Sequence, residues 1–404
     1  MPVYFATCPW GTEKNTEKEI LALGGTSTQI KSGGVFFEGS LETLYKANLW
    51  LRTSTRILFP LKTFSSKNQT MLYSQVTRIH WEKYFGLDHT FRVDVTVSKR
   101  KEKPKFEMPS PPEKTPEQNT IFAAQKVKDA IVDRFRRLFG QRPNVAKTDP
   151  SIVIHAHFED GKCMVSLDSS GVSLHERGYR KQTGVAPLKE NLGAAILMES
   201  TWNPDVPFYD LMCGSGTFLF EAALMSQKIA PAYLRCLQMR TPFLFMNWLT
   251  FDEKIWEKVF AEAEKYFLEG QKQLAQKKPK IFGFDADDRI LKVAERNSAN
   301  LQSRISFRHK RIEQWLSTEE LSDQMPAGVV VCNPPYGERL SSPESMNALY
   351  KTIGDVLKKR FKGSTAYVFS GNLEALKHIG LKPKRKVKLF NGPIECRLLE
   401  IPLY

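Results

Sequence analysis

The feature that most limits how this chain can fold is a glycine turn held between an apolar strand and an apolar helix: Asp210-Leu211-Met212-Cys213-Gly214-Ser215-Gly216-Thr217. Its strand is Pro207–Leu211, and its helix runs from Phe218 to Met225. Further strand candidates follow at Lys280–Phe284, Ile305–Arg308, Gly328–Cys332 and Ala366–Ser370, with helical patterns in the gaps. Val387–Phe390 and Cys396–Ile401 close the series as a hairpin about Asn391-Gly392-Pro393. Regular alternation of strand and helix predicts an α/β, doubly wound parallel sheet over 165–404. Ligands of such sheets bind outside the carboxyl ends of the strands, where the glycine turn falls.

The N-terminal portion reads differently. A strand at Val3–Ala6, a helix from Thr12 to Leu23, a strand at Val35–Phe37, a helix from Leu41 to Leu51 and a strand at Arg56–Phe64 predict a small α+β unit over 1–64. The mixture repeats over 65–160: helix Leu72–Phe85, strand Thr90–Ser98, helix Ile121–Phe139, strand Ile152–Phe158. Residues 99–118 between them are rich in proline and charge and read as an exposed loop. The net charge is +15, with the excess spread over both halves, which favours a polyanionic partner. Lys99, Arg100 and Lys101 in the loop are candidate RNA contacts. Lys126, Arg134, Arg136 and Arg137 are better ones, because a helix would present them. No apolar run nears the length of a membrane span, and the first residues lack a secretory pattern. The six cysteines lie far apart and without paired histidines, so no metal is expected and a reduced cytoplasmic protein is. His155 and His157 share a strand face, but no third ligand accompanies them.

Gly214 and Gly216 would let backbone approach a ligand and turn into the helix, whose N-terminus suits a carboxylate. No G-K-[ST] follows, and position 219 is Leu, so neither a phosphate loop nor a full dinucleotide fingerprint is present. A ligand with an α-amino acid end fits: Asp210 would meet its ammonium group and the loop, Met212 to Thr217, its carboxylate. One strand–helix unit later, Gly283-Phe284-Asp285-Ala286-Asp287 offers Asp285, with Ala286 beside it, as the acceptor for ribose hydroxyls. An amino acid joined to a nucleoside points to S-adenosylmethionine.

The apolar strand ending at Cys332 runs into Asn333-Pro334-Pro335-Tyr336-Gly337. Two consecutive prolines remove two amide donors and stiffen a run of carbonyls. An exocyclic amine on a base is a poor nucleophile, because its lone pair is delocalised into the ring. Hydrogen bonds to the Asn333 side-chain oxygen and the Pro334 carbonyl would favour a more pyramidal nitrogen and hold it in line for methyl transfer. Tyr336 offers a face for stacking a flipped-out base.

These motifs, with FATCPWG (5–11), GGVFFEG (33–39), SLHERGYRKQTGVAPLKENLGAAIL (173–197), NPPYGERL (333–340) and NGPIECRLL (391–399), make the chain resemble the bacterial 23S rRNA guanine-N2 methyltransferases with a THUMP domain. The resemblance implies a Rossmann-like class I methyltransferase domain preceded by ferredoxin-like and THUMP RNA-binding segments, with 23S rRNA or a large-subunit precursor as partner. Some family members carry a second methyltransferase domain, so a chain ending at Tyr404 implies a single activity. By the same resemblance Asp210, Gly214, Gly216 and Thr217 match the methionine loop, Asp285 the ribose acid, Asn333–Tyr336 the active-site loop, and Asn191 a segment closing over the cofactor. Asn333 is counted among the cofactor contacts as well. One position departs: relatives place Asp for the adenine amine after the third strand, where this chain has Arg311. Glu313 or main-chain groups are the expected substitutes. The N-P-P-Y loop alone also fits tRNA guanine-N2 or adenine-N6 methylation, and a non-catalytic rRNA assembly factor is the rival from another class.

Overall fold

The computed structural model describes residues 1–98, 119–180, 188–276, 280–299, 301, 305–317, 324–336 and 342–404. Among the described residues, the strands from Val3 to Asp168 form one continuous eight-stranded sheet: β1 (Val3–Thr7), β2 (Thr26–Lys31), β3 (Gly34–Glu38), β4 (Arg56–Ser65), β5 (Thr90–Val97), β6 (Asn144–Val145), β7 (Ile152–Glu159) and β8 (Lys162–Asp168), in the order β2-β3-β1-β4-β8-β7-β5-β6. The ten residues of β4 join the two halves. Its start pairs with β1 (Leu58 opposite Phe5), and its length pairs with β8, from Leu58 opposite Asp168 to Ser65 opposite Lys162. Helices α1 (Glu13–Ala22), α2 (Leu41–Trp50), α3 (Gln69–Thr77) and α4 (Thr120–Phe139) pack on this sheet. On β7, Ile152, Ile154, Ala156 and Phe158 are buried, as period two requires, and they share a core with Val127, Ala130, Ile131 and Phe135 of α4.

Two expectations need correction here. The boundary at 160 cuts the β7–β8 hairpin, because Lys162–Asp168 belongs to the N-terminal sheet. The helix expected over Leu72–Phe85 ends at Thr77 and resumes as a 3₁₀ turn at Trp81–Lys83; buried Trp81 donates its indole N–H to the Val76 carbonyl (3.0 Å).

The second sheet has the order β11-β10-β9-β12-β13-β15-β14, from β9 (Phe208–Asp210), β10 (Ile281–Asp285), β11 (Ile305–His309), β12 (Val329–Cys332), β13 (Thr365–Ser370), β14 (Arg385–Asn391) and β15 (Ile394–Pro402). The first five are parallel, and the closing hairpin is antiparallel. All four residues of β12, Val-Val-Val-Cys, are buried, as befits a central parallel strand covered on both faces. Helices α5 (Glu190–Glu199), α6 (Thr217–Ser226), α7 (Tyr233–Gln238), α8 (Glu253–Gln276), α9 (Asp288–Ala299) and α10 (Pro343–Arg360) are the α-helices of the described residues here. α10 starts with Ser342 accepting from the Ser345 N–H and Pro343 in its first turn, and it ends on Lys358, Lys359 and Arg360, which suit the negative end of its dipole.

Buried charge fastens the two sheets together. Arg177 donates to the Arg52 carbonyl and lies 3.4 Å from Glu221, which also accepts from the Tyr179 hydroxyl (3.2 Å). Arg52 donates to the Ile229 carbonyl (2.6 Å), and Asn191 donates to Thr55 Oγ1 (2.9 Å).

Candidate active site

Strand order brings three sequence motifs together. β9 lies between β10 and β12, so the residues following Tyr209, Phe284 and Val331 open into one cleft of about 750 Å³. The glycine turn is shaped by main-chain bonds: Cys213 N–H donates to the Phe284 carbonyl (2.9 Å), and Gly216 N–H donates to the Cys213 carbonyl (2.8 Å). Gly216 is the N-cap of α6 at φ +90°, and a Cβ there would also fall 2.7 Å from the Phe220 ring. Its backbone turns the chain so that the positive end of α6 faces the cleft. Met212, Cys213, Gly214, Ser215, Thr217 and Ala286 line the same space.

Asp285 accepts from Gly214 N–H through Oδ2 (2.8 Å) and from Asp287 N–H through Oδ1 (3.0 Å), which fixes the carboxylate and leaves lone pairs for hydroxyl donors. Asp210 is buried at 1% exposure and, among the described residues, accepts only from Met212 N–H (3.2 Å). No cationic side chain pairs with it among the described residues, and burial, then the nearby Asp285 carboxylate, push its pKa up to about 8. A buried acid without a counter-charge is costly, and a ligand ammonium group would supply that charge. This fits an amino-acid ligand.

At the end of β12, Asn333 Oδ1 is buried and has no hydrogen-bond partner among the described residues. Buried acceptors are nearly always satisfied, so an orphan on a residue that lines the cleft marks a place for an incoming donor. The loop behind it is braced. The Tyr350 hydroxyl, 2.5 Å from Ser370 Oγ, reaches the Pro335 carbonyl at 3.5 Å. The Tyr336 hydroxyl accepts from Asn391 Nδ2 (2.8 Å), and its ring lies where a Cβ on Gly371 would come within 3.0 Å. Sequence reading did not find this Asn391 contact; the turn Asn391-Gly392-Pro393 was its only local signal. Burial raises the Cys213 and Cys332 thiols well above their ordinary range, so neither is poised as a nucleophile.

The model of the RMKL-like methyltransferase domain matches residues 177–400, more than half of the chain. The chain belongs to the RMKL-like methyltransferase family. The models of the RlmL ferredoxin-like domain and the THUMP domain match residues 4–58 and 66–168. A Synechocystis sp. protein provisionally named an RNA methyltransferase is 37% identical over 402 residues, covering 99% of this chain and 97% of its own. The ribosomal RNA large subunit methyltransferase K/L of Cellvibrio japonicus is 39% identical over 98% of this chain and 50% of its own. The chain thus spans about half the length of that K/L relative. SMU.472, provisionally a methyltransferase, was solved with S-adenosylhomocysteine; it superposes with a TM-score of 0.83 at 29% identity, covering 100% of this chain and 98% of its own.

Within this RMKL-like chain, other expected contacts fall elsewhere. Asn191 does not line the main cleft; besides bonding Thr55 it borders a separate cleft of about 210 Å³ with Trp10 and Phe390, and among the described residues the two clefts share only Asn391. Thr217 lines the main cleft, but its hydroxyl is engaged by Arg180 Nη2 (2.7 Å) and the Leu188 carbonyl (3.2 Å). Glu313 is also misplaced as an adenine acceptor: its exposed carboxylate lies 3.9 Å from Arg311, outside the cleft, which Lys310 and Ile312 line instead. Arg134 is no RNA contact. It is buried and chelates Glu82 (2.6 and 2.7 Å), whose carboxyl it holds at about 2, and it donates to the Thr77 carbonyl (3.1 Å). Arg136 and Arg137 are exposed and Lys126 is half-buried over the Phe122 ring, whereas Lys99, Arg100 and Lys101 lie outside the described residues. His155 and His157 stack on one another, and His157 bonds Thr96 Oγ1 (2.8 Å). No group of three potential metal ligands occurs among the described residues, and no described helix is long and apolar enough to cross a membrane.

Proposed function

We propose that this RMKL-like enzyme methylates the exocyclic N2 of a guanine in 23S rRNA. The observation that carries the reading is the orphaned Asn333 Oδ1 in the cleft that also holds Asp210 and Asp285. The THUMP match and the rRNA-modifying K/L relatives support an RNA substrate.

S-adenosylmethionine supplies an electrophilic methyl group. Asp210 would take its ammonium end, the N-terminus of α6 its carboxylate, and Asp285 its ribose hydroxyls. Ile312 and the main chain near Lys310, whose N–H is already tied to the Asp285 carbonyl (3.0 Å), border the adenine side. Asn333 Oδ1 accepts one N–H of the guanine amine and the Pro334 carbonyl the other, which positions the nitrogen lone pair. Tyr336, fixed by Asn391, stacks the base. Asp285 and Tyr336 are already held by Gly214, Asp287 and Asn391, so neither needs to reorganise during transfer.

Undermodified rRNA incubated with the protein and labelled S-adenosylmethionine, then digested to nucleosides for mass spectrometry, tests the assignment. Label in N2-methylguanosine is expected. Label in N6-methyladenosine, in tRNA only, or nowhere, refutes it.

A further inference from the structure

The residues before Asn391 form a pattern that the catalytic reading leaves unused. Lys382, Lys384, Lys386 and Lys388 alternate and lead to Phe390 in the sequence KPKRKVKLF. Alternation by two puts Lys386, Lys388 and Phe390 on one face of β14, the outermost strand of its sheet, while Val387 and Leu389 pack inward. Lys384 extends the row, since its N–H still bonds the Glu400 carbonyl (2.8 Å). All four lysines are exposed. Lys388 pairs with Glu395, and Lys384 lies 3.7 Å from Glu400, whereas Lys382 and Lys386 have no ion-pair partner among the described residues.

The row ends in a built aromatic corner. Phe390 meets Trp10, in the turn between β1 and α1, edge to face (centroids 5.5 Å, 90°), and Trp10 remains 47% exposed. The fit is close: a Cβ on Gly11 would fall 2.5 Å from the Lys388 carbonyl. The next residue, Asn391, holds Tyr336 and borders both clefts.

We infer that the outer face of β14 is a track for the single-stranded RNA flanking the target guanine, with the lysines meeting successive phosphates and Trp10–Phe390 stacking a neighbouring base. Lys386 and Lys388 stand two residues apart on the strand, roughly 7 Å, a step comparable with one extended nucleotide, and Lys382 and Lys384 precede them in the chain. Bases stacked on aromatics over a basic groove are the usual means of holding single strands. Lysines on an edge strand also prevent sheet-to-sheet pairing. That need alone explains neither the aromatic corner at the end of the row nor its continuity with the residue that fixes Tyr336.

The inference rests on the proposed RNA reading, and its test needs no methyl transfer. A labelled single-stranded RNA oligonucleotide containing guanine, and the same strand annealed to its complement, are titrated by fluorescence anisotropy at several salt concentrations. The triple variant Lys382→Gln, Lys384→Gln, Lys386→Gln keeps polar edge residues. It should weaken single-strand binding and flatten the slope of log K against log salt by about 2, from roughly 0.7 per lost phosphate contact. Trp10→Ala should weaken binding roughly tenfold without changing that slope, as expected for one lost stack. Both variants should bind S-adenosylhomocysteine as the wild type does and stay in the same oligomeric state. An unchanged salt slope in the triple variant, self-association as its only defect, or equal losses on duplex and single strand would overturn the inference. If rRNA methylation fails while these binding results hold, the proposed substrate fails and the track stands.

Discussion

Asp210 makes cofactor affinity depend on pH in a way that follows from its burial. In the unliganded protein its pKa is pushed up to about 8, because it is buried at 1% exposure with no cationic partner among the described residues. Below that pH the free site holds a proton; a bound ammonium group stabilises the ionised form and expels it. Loss of one proton on binding changes affinity tenfold per pH unit, about 1.4 kcal/mol. The Kd for S-adenosylhomocysteine should therefore fall roughly 100-fold between about pH 6 and pH 8, then level off. Isothermal titration in buffers of different ionisation enthalpy should show about one proton released at the lower pH. The sign for the free protein is opposite: the folded state holds a proton that unfolded Asp210, at 3.8, has lost, so stability should decline as pH rises from about 4 to 8. Asp210→Asn should cost little affinity near pH 6 and most near pH 8. A flat Kd with buffer-independent heat, or the wild-type slope surviving in Asp210→Asn, would refute this reasoning.

Three further outcomes follow from contacts in the structure. Asn391→Ala removes the donor to the Tyr336 hydroxyl, and it should slow methylation about tenfold while costing roughly 1 kcal/mol of stability, read by single-turnover kinetics and denaturant unfolding. Glu313→Gln should leave the Kd for S-adenosylhomocysteine within about twofold, because its carboxylate faces Arg311 outside the cleft; a loss comparable with one charged hydrogen bond would restore it as the adenine acceptor. Arg134→Ala should lower stability by about 2 kcal/mol through the lost Glu82 bonds, whereas Arg136→Gln with Arg137→Gln should weaken RNA binding with unchanged thermal unfolding.

The parallel sheet was legible because its central strands are apolar throughout and end in glycine, acid or Asn-Pro-Pro, signals that are local in sequence. Strand β2, Thr26–Lys31, was not: it is a polar, exposed edge strand with no buried face to impose period two. β8 carries the alternation Cys163, Val165, Leu167, yet only its pairing with β7 and β4 shows that it links the two halves of the N-terminal sheet. The same limit applied at the site. Asp210, Asp285 and Asn333 each sit at a strand end and could be read singly, but the orphaned state of Asn333 Oδ1 appears only when the cleft is assembled. Arg134 looked like its neighbours Arg136 and Arg137 until Glu82, fifty-two positions away, turned out to face it. Asn191 likewise turns away from the cleft because Thr55 of the other sheet takes its side chain.

The central claim is that Asn333 Oδ1 receives the target amine in the cleft that binds the cofactor. Single-turnover methyl transfer to rRNA by Asn333→Ala, with the affinities for S-adenosylhomocysteine and RNA measured alongside, tests it most directly. The expected result is a rate reduced on the order of 100-fold or more, with both affinities within a few-fold of wild type. A methylation rate left intact by the substitution would contradict it.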